Sequence, residues 1–127
     1  MPFDWNEYLT LAQFLATRLD EASKRSAISR AYYFAFNIAF ARAETTAGRR
    51  LPWENYHSWC WDKYKNTRDP SCSQLGIDGD RMKRRRVKAD YKAADIPRLD
   101  DEVRRMLAEA EQFGEDLNIL NPRYPLP

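Results

Sequence analysis

The chain has 127 residues, 43% of them hydrophobic, 31% charged and only four of them glycine. That is the length of one ordinary domain, in a composition that excludes disorder and, with so few glycines, weighs against a turn-rich all-β fold. Twenty-one Lys and Arg against nineteen Asp and Glu leave a net charge of +2, so the chain is no bulk polycation and a nucleic-acid surface has to come from local clustering.

Asp4 is a natural N-cap, with Glu7 three residues later, and Trp5, Tyr8, Leu9, Ala12, Leu15, Ala16 and Leu19 follow at helical spacing. This predicts a first helix ending near Asp20. The second is predicted from about Glu21–Ser26 to Ala47, stopped by Gly48. Its middle, Ala27 to Ala43, is apolar on nearly every face. Ala31, Ala35 and Ala39 sit four apart beside a ridge of Tyr32, Phe36 and Phe40. Four short helices are not expected to cover such a helix in a chain this small, so a homodimer burying part of it is expected. Arg30, within that apolar stretch, needs an acidic partner, sought in the last helix.

Pro52 marks a connector, and a third helix is predicted over 53–65. Residues 66–76, NTRDPSCSQLG, read as a loop by composition. A fourth helix is predicted from about Asp78 to Tyr91. Asp100 is the expected N-cap of the last helix, with Val103, Leu107, Ala110, Phe113 and Leu117 as its stripe. The reading is an all-α, antiparallel up-and-down bundle of four to five helices. It forms a single domain over 1–120, followed by a Pro-rich tail over 121–127 of irregular or extended conformation.

No apolar run approaches the ~20 residues needed to span a bilayer, and the N-terminus lacks a basic segment followed by an apolar core. The expectation is a cytoplasmic protein without membrane contact, with Cys60 and Cys72 as reduced thiols. One His and two Cys without CxxC spacing make a zinc site unexpected, and no cofactor is implied.

Two places carry possible chemistry. His57, the only histidine, sits among Trp53, Tyr56, Trp59 and Trp61. It is either packing with one satisfied hydrogen bond, or a general acid/base with Arg50 holding a phosphate, although Pro52 interrupts that helix. Residues 81–92, RMKRRRVKADYK, hold seven basic side chains and one acidic one. Arg81, Arg84, Arg85 and Lys88 fall on one broad helical face, with Met82, Arg86 and Ala89 turned elsewhere. The run is either a solvated face neutralised by the acidic last helix or a phosphate-binding strip. Asp62 with Asp69, or Asp78 with Asp80, read more simply as loop and cap residues than as paired catalytic carboxylates. Cys60 reads as buried packing.

Arg25–Phe36, RSAISRAYYFAF, resembles the second helix of small bacterial and archaeal HEPN-domain proteins, with Arg30, Tyr32 and Tyr33 in the matching run. DWNEYLTLAQFLA is similar to that family's first helix, NYHSW to the start of its third and RRRVKADY to an Arg-x-x-Ala-Asp-Tyr stretch in its fourth. The resemblance covers about residues 4–117. It implies a helical bundle, commonly a homodimer, in a stress or defence setting of toxin–antitoxin type. Family members include toxin ribonucleases, companions of nucleotidyltransferases and binding modules.

Ribonuclease members carry an Arg, a polar residue and then a His in the fourth helix, forming a metal-independent composite site across the dimer. Here Arg86 matches the arginine, Val87 stands where the polar residue falls, and Asp90 and Tyr91 occupy the place of the histidine. A tyrosine of pKa ~10 is a poor general base at neutral pH and a carboxylate near ~3.9 a weak one. The expectation is therefore a module binding RNA or a partner protein, such as a nucleotidyltransferase or cognate toxin or antitoxin. Arg81, Arg84, Arg85, Arg86 and Lys88 are the expected RNA-phosphate contacts. The alternatives are a ribonuclease using Arg86 with Asp90, Tyr91 or His57, and an antitoxin-like interaction partner.

Overall fold

Capping chemistry sets most of the helix ends in the computed structural model, which describes residues 2–126 as five helices with no strand among them. α1 spans Asn6–Ala16, and the Asp4 carboxylate accepts the Asn6 N–H at 2.9 Å. It ends four residues before the predicted Asp20, because Asp20 caps the next helix by accepting the Ser23 N–H at 2.9 Å. α2 spans Glu21–Thr46 and stops ahead of Gly48, whose φ of +88° is left-handed. α3 spans Tyr56–Lys65 and starts three residues later than predicted. Asn55 caps it by accepting the Ser58 N–H at 3.0 Å.

The predicted 66–76 loop is the largest departure. α4 spans Pro70–Tyr91, so residues 70–76 form its first two turns. Asp69 accepts the Cys72 N–H at 2.9 Å, and Pro70 takes the first helical position, where its missing N–H costs nothing. Gly76 is a packing residue, not a turn residue. A Cβ there would stand 2.7 Å from the Lys65 backbone nitrogen and 2.9 Å from the Trp61 carbonyl. At Gly79 a Cβ would fall on the Trp61 ring itself. These two positions let α3 lie directly on α4.

α5 spans Leu99–Ile119. Asp100 lies inside its first turn, bonded to Lys24 at 2.7 Å, and does not cap it. The helix starts from Arg98, held at φ +53° after Pro97. Asp100, Asp101 and Glu102 then place negative charge at the positive end of the helix dipole.

α2 is the central element and touches each of the other four helices. The Arg25 guanidinium, near its start, donates to the carbonyls of Lys88, Ala89, Lys92 and Ala94 at the end of α4, so these two helices run antiparallel. α4 and α5 are antiparallel too, through Arg81 with Glu109 and Arg85 with Glu102. Three helices in mutual contact cannot all be antiparallel, and α5 runs parallel to α2: Lys24 meets Asp100 at one end and Arg42 meets the Leu117 carbonyl at the other. α3 lies across α2. Phe40 meets Tyr56 and Trp59, Tyr32 meets His57 and Trp61, and the Tyr64 hydroxyl donates to the Ala39 carbonyl at 2.8 Å.

Ten α2 residues are buried within one chain, including Ala31, Tyr32, Phe34, Ala35, Phe36 and Ala39. The alanines bring neighbouring helices close enough to seal the aromatic ridge. The expectation that a second copy must cover α2 therefore loses its physical basis. Arg30 also departs from expectation: it stacks over Tyr8 at 4.8 Å and Tyr33 at 5.0 Å, so cation–π contact replaces the expected ion pair. The segment after α5 is not helical, but it is pinned. Arg42 donates to the carbonyls of Leu117, Leu120, Asn121 and Tyr124, and Pro125 is fully buried. No helix among the described residues is long and apolar enough to cross a membrane.

Candidate anion-binding site

Six of the seven basic residues of the 81–92 run lie in α4, and they do not make six binding residues. Arg81 pairs with Asp78 at 2.9 Å and with Glu109 at 3.6 Å. Arg85 pairs with Glu109 at 2.7 Å and with Glu102 at 3.7 Å. Half of the predicted strip is thus neutralised by the acidic face of α5. Among the described residues Lys83, Arg84 and Lys88 make no ion pair. Lys83, Arg84 and Val87, with Asp80, line a shallow hollow of about 270 Å³.

Arg86 is different. It is only 6% exposed, on the inner side of α4. Its guanidinium carbon lies 5.6 Å from the Tyr32 ring centre, 5.3 Å from Tyr33 and 5.6 Å from Tyr91. Its one carboxylate neighbour is Asp90, one turn on, 3.5 Å from a terminal guanidinium nitrogen. Asp90 is fixed from across the helix pair by the Ser29 hydroxyl at 3.0 Å. The Arg86 Nε is buried and has no hydrogen-bond partner. An unsatisfied buried donor on a cation is costly, and here it belongs to the residue most suited to anion recognition.

His57 joins this cluster through Tyr32. The Trp61 Nε1–H donates to the Tyr32 oxygen at 3.1 Å, and the Tyr32 hydroxyl lies 2.6 Å from His57 Nδ1. Tyr32 is fully buried, so its own hydrogen needs an acceptor, and Nδ1 is the one beside it. His57 is thereby assigned as the neutral tautomer, with its hydrogen on Nε2. Its ring packs on Phe36 at 4.4 Å. Burial, and then the positive charges of Arg86 and Lys83, push its pKa down to about 4.

The structure therefore gathers Arg86, Asp90, Tyr91 and His57, together with Tyr32 and Tyr33 of the α2 run, into one cluster between α2, α3 and α4. It leaves Arg81 and Arg85 outside, tied to α5. Arg50 is not part of it either: it stacks on Tyr56 at 3.6 Å and donates to the connector carbonyls of Leu51, Pro52 and Glu54. Ser29 belongs to the cluster and was missed; Trp61, read beside His57 in the sequence, enters it through Tyr32. A lone serine facing the inside of an apolar helix was the one signal for Ser29. Asp62 and Asp80 both serve Lys65, and Cys60 is fully buried with its thiol pKa pushed up by burial.

No family model, curated protein or solved structure matches the chain. What the cluster can do follows from its own atoms. General-base catalysis by His57 needs a free lone pair, and the lone pair on Nδ1 already accepts from Tyr32. A pKa near 4 keeps the imidazolium form scarce at neutral pH, leaving a neutral ring with its N–H on Nε2. The donors in the cluster are the Arg86 guanidinium and the His57 Nε2–H. Donors of this kind suit an anion, and the carboxylate beside them is that of Asp90.

The depressed His57 pKa has a consequence for stability. Between the ordinary value of about 6.5 and the folded value of about 4, the unfolded chain binds the proton and the folded chain does not. Stability from this group is fully present above about pH 6.5 and is lost as pH falls toward 4. Urea midpoints measured across that window should fall for the wild type and fall less for His57→Asn. Equal slopes in the two proteins would contradict the neutral, buried histidine.

Proposed function

We propose that this chain is a HEPN-like domain that pairs with a second copy and binds RNA as a non-catalytic module, in a prokaryotic stress or defence setting. The observation that carries the binding reading is the nearly buried Arg86 guanidinium, held among three tyrosines with its Nε unpartnered. A neutral His57 beside it offers an N–H and no base. Lys83, Arg84 and Lys88 extend positive charge along the exposed side of α4, where a phosphate backbone would run. Exposed Tyr91 offers a ring on which an unpaired base would stack. The family and the pairing rest on the sequence resemblance, and sedimentation at micromolar concentration tests the pairing.

Fluorescence anisotropy with a short labelled single-stranded RNA, titrated at several salt concentrations, tests the binding. Each phosphate neutralised on a single strand contributes roughly −0.7 to the log–log slope. Replacing Arg84 and Lys88 together by Ala should flatten the slope by about 1.4. Arg81→Ala should leave it nearly unchanged, because Arg81 is already neutralised by Asp78 and Glu109. No binding at low ionic strength would sink the RNA reading. It would favour a protein partner at the exposed Leu51, Trp53 and Tyr56 around the start of α3.

A further inference from the structure

We propose that Asp90 is a built-in counter-anion of the Arg86 site, a carboxylate that closes the site when it is empty and is displaced when a phosphate group enters. The inference rests on the anion-binding reading above and adds its gate. One oxygen, Asp90 Oδ2, does two things: it stands 3.5 Å from the Arg86 terminal nitrogen and accepts the Ser29 hydroxyl at 3.0 Å. The first contact is long for a charge-assisted hydrogen bond, which closes to about 2.7–2.9 Å. The Arg85–Glu109 ion pair on the other side of α4 is shorter, at 2.7 Å, although it too lacks hydrogen-bond geometry. Asp90 thus neutralises Arg86 without saturating it, and the buried Nε stays unpartnered.

Position makes this contact exchangeable. Asp90 is the last residue but one of α4, and its carboxylate is partly exposed while the guanidinium behind it is not. Rotation of one side chain at a helix end uncovers the cation, with no movement of α2 or α4. The other cover is Tyr91, the last residue of α4, whose ring is mostly in solvent. A phosphate has more acceptor oxygens than a carboxylate, so it can satisfy Nε and the terminal nitrogens together. While Asp90 remains, its charge repels that phosphate. Without it, the empty site would hold a buried unpaired cation. The carboxylate therefore trades affinity for stability of the empty protein.

The test compares the full chain with Asp90→Asn, which keeps an oxygen for Ser29 and removes the charge. The probes are a short labelled single-stranded RNA and, separately, inorganic phosphate. Asp90→Asn should melt lower than wild type when empty, bind the RNA about tenfold tighter at the same salt, and gain more melting temperature from phosphate. Glu115→Gln, which removes one negative charge from α5, should bind as wild type does. Equal or weaker RNA binding by Asp90→Asn, or an equal gain in Glu115→Gln, overturns the gate while wild-type binding keeps the anion site. Failure of every protein to respond to either probe overturns the anion site and the gate with it. If Asp90→Asn does not fold, Ser29→Ala unanchors the same carboxylate and should also tighten binding; unchanged or weaker binding there rejects the gate.

Discussion

Gly79→Ala is expected to destabilise the protein by about 3 kcal/mol, against the sign that helix propensity gives. In an exposed helix the change from glycine to alanine stabilises by up to about 1 kcal/mol. Here the new Cβ would land on the Trp61 ring, and that ring cannot retreat. Trp61 is fully buried, its Nε1–H is bonded to Tyr32, and its ring is flanked by Tyr64 and Phe113 at about 6 Å. Relief has to come from moving α3 away from α4. That motion also pulls on Trp61, Tyr32 and His57, so RNA affinity should fall together with stability. Gly76→Ala should act in the same direction, since its Cβ meets backbone atoms of α3. Gly48→Ala is the control: its Cβ would meet open space, and only the positive φ opposes it, at a cost of about 1 kcal/mol. Urea denaturation of the three variants reads the order directly. A Gly79→Ala protein as stable as wild type would mean that α3 does not rest on α4 through that glycine.

These glycines also show what composition cannot reveal. Asn, Asp, Pro, Ser and Gly between 66 and 76 read as a loop, yet the same residue types begin a helix. Asp69 caps it, Pro70 opens it, and Gly76 admits a neighbouring backbone. Local chemistry is identical in the two cases, and only the proximity of α3 separates them. The helical class was readable because the stripes in α1, α2 and α5 depend on spacing alone. The coverage of α2 was not, because it depends on how closely four helices approach Ala31, Ala35 and Ala39. The site divides in the same way. Arg86, Asp90 and Tyr91 lie within two turns of one helix and were visible together. His57 is 29 positions earlier, and what joins it to Arg86 is the Tyr32 hydroxyl and ring, a link that no sequence spacing contains. The pairing of Arg81 and Arg85 with Glu109 also had to wait for the packing of α4 on α5. The reading of the basic run as a neutralised face applies to those two residues, while Arg84 and Lys88 of the expected strip make no ion pair among the described residues.

Arg86 is where the two ideas, a strip of surface charge and a built site, predict different numbers. If α4 only presents charge, Arg86→Ala should weaken RNA binding no more than Arg84→Ala and flatten the salt slope by the same ~0.7. If Arg86 is the centre of a site, its loss should cost about 100-fold in affinity, roughly 2.7 kcal/mol. The slope should still change by only one phosphate. The excess arises because a guanidinium shielded from water meets its anion at lower effective dielectric than an exposed one. Arg86→Lys separates charge from shape: it restores the charge but not the planar fork, the Nε donor or the stacking on Tyr32 and Tyr33. It should recover part of the melting temperature lost in Arg86→Ala and remain about tenfold weaker than wild type in binding. Stability has to be read alongside, because truncating Arg86 leaves Asp90 and Ser29 without their cation and opens a void between two tyrosines, worth about 2 kcal/mol. Binding measured well below each variant's melting point isolates the affinity change. An Arg86→Lys protein that binds as tightly as wild type would reduce Arg86 to one more positive charge, and the α4 strip alone would then account for the interaction.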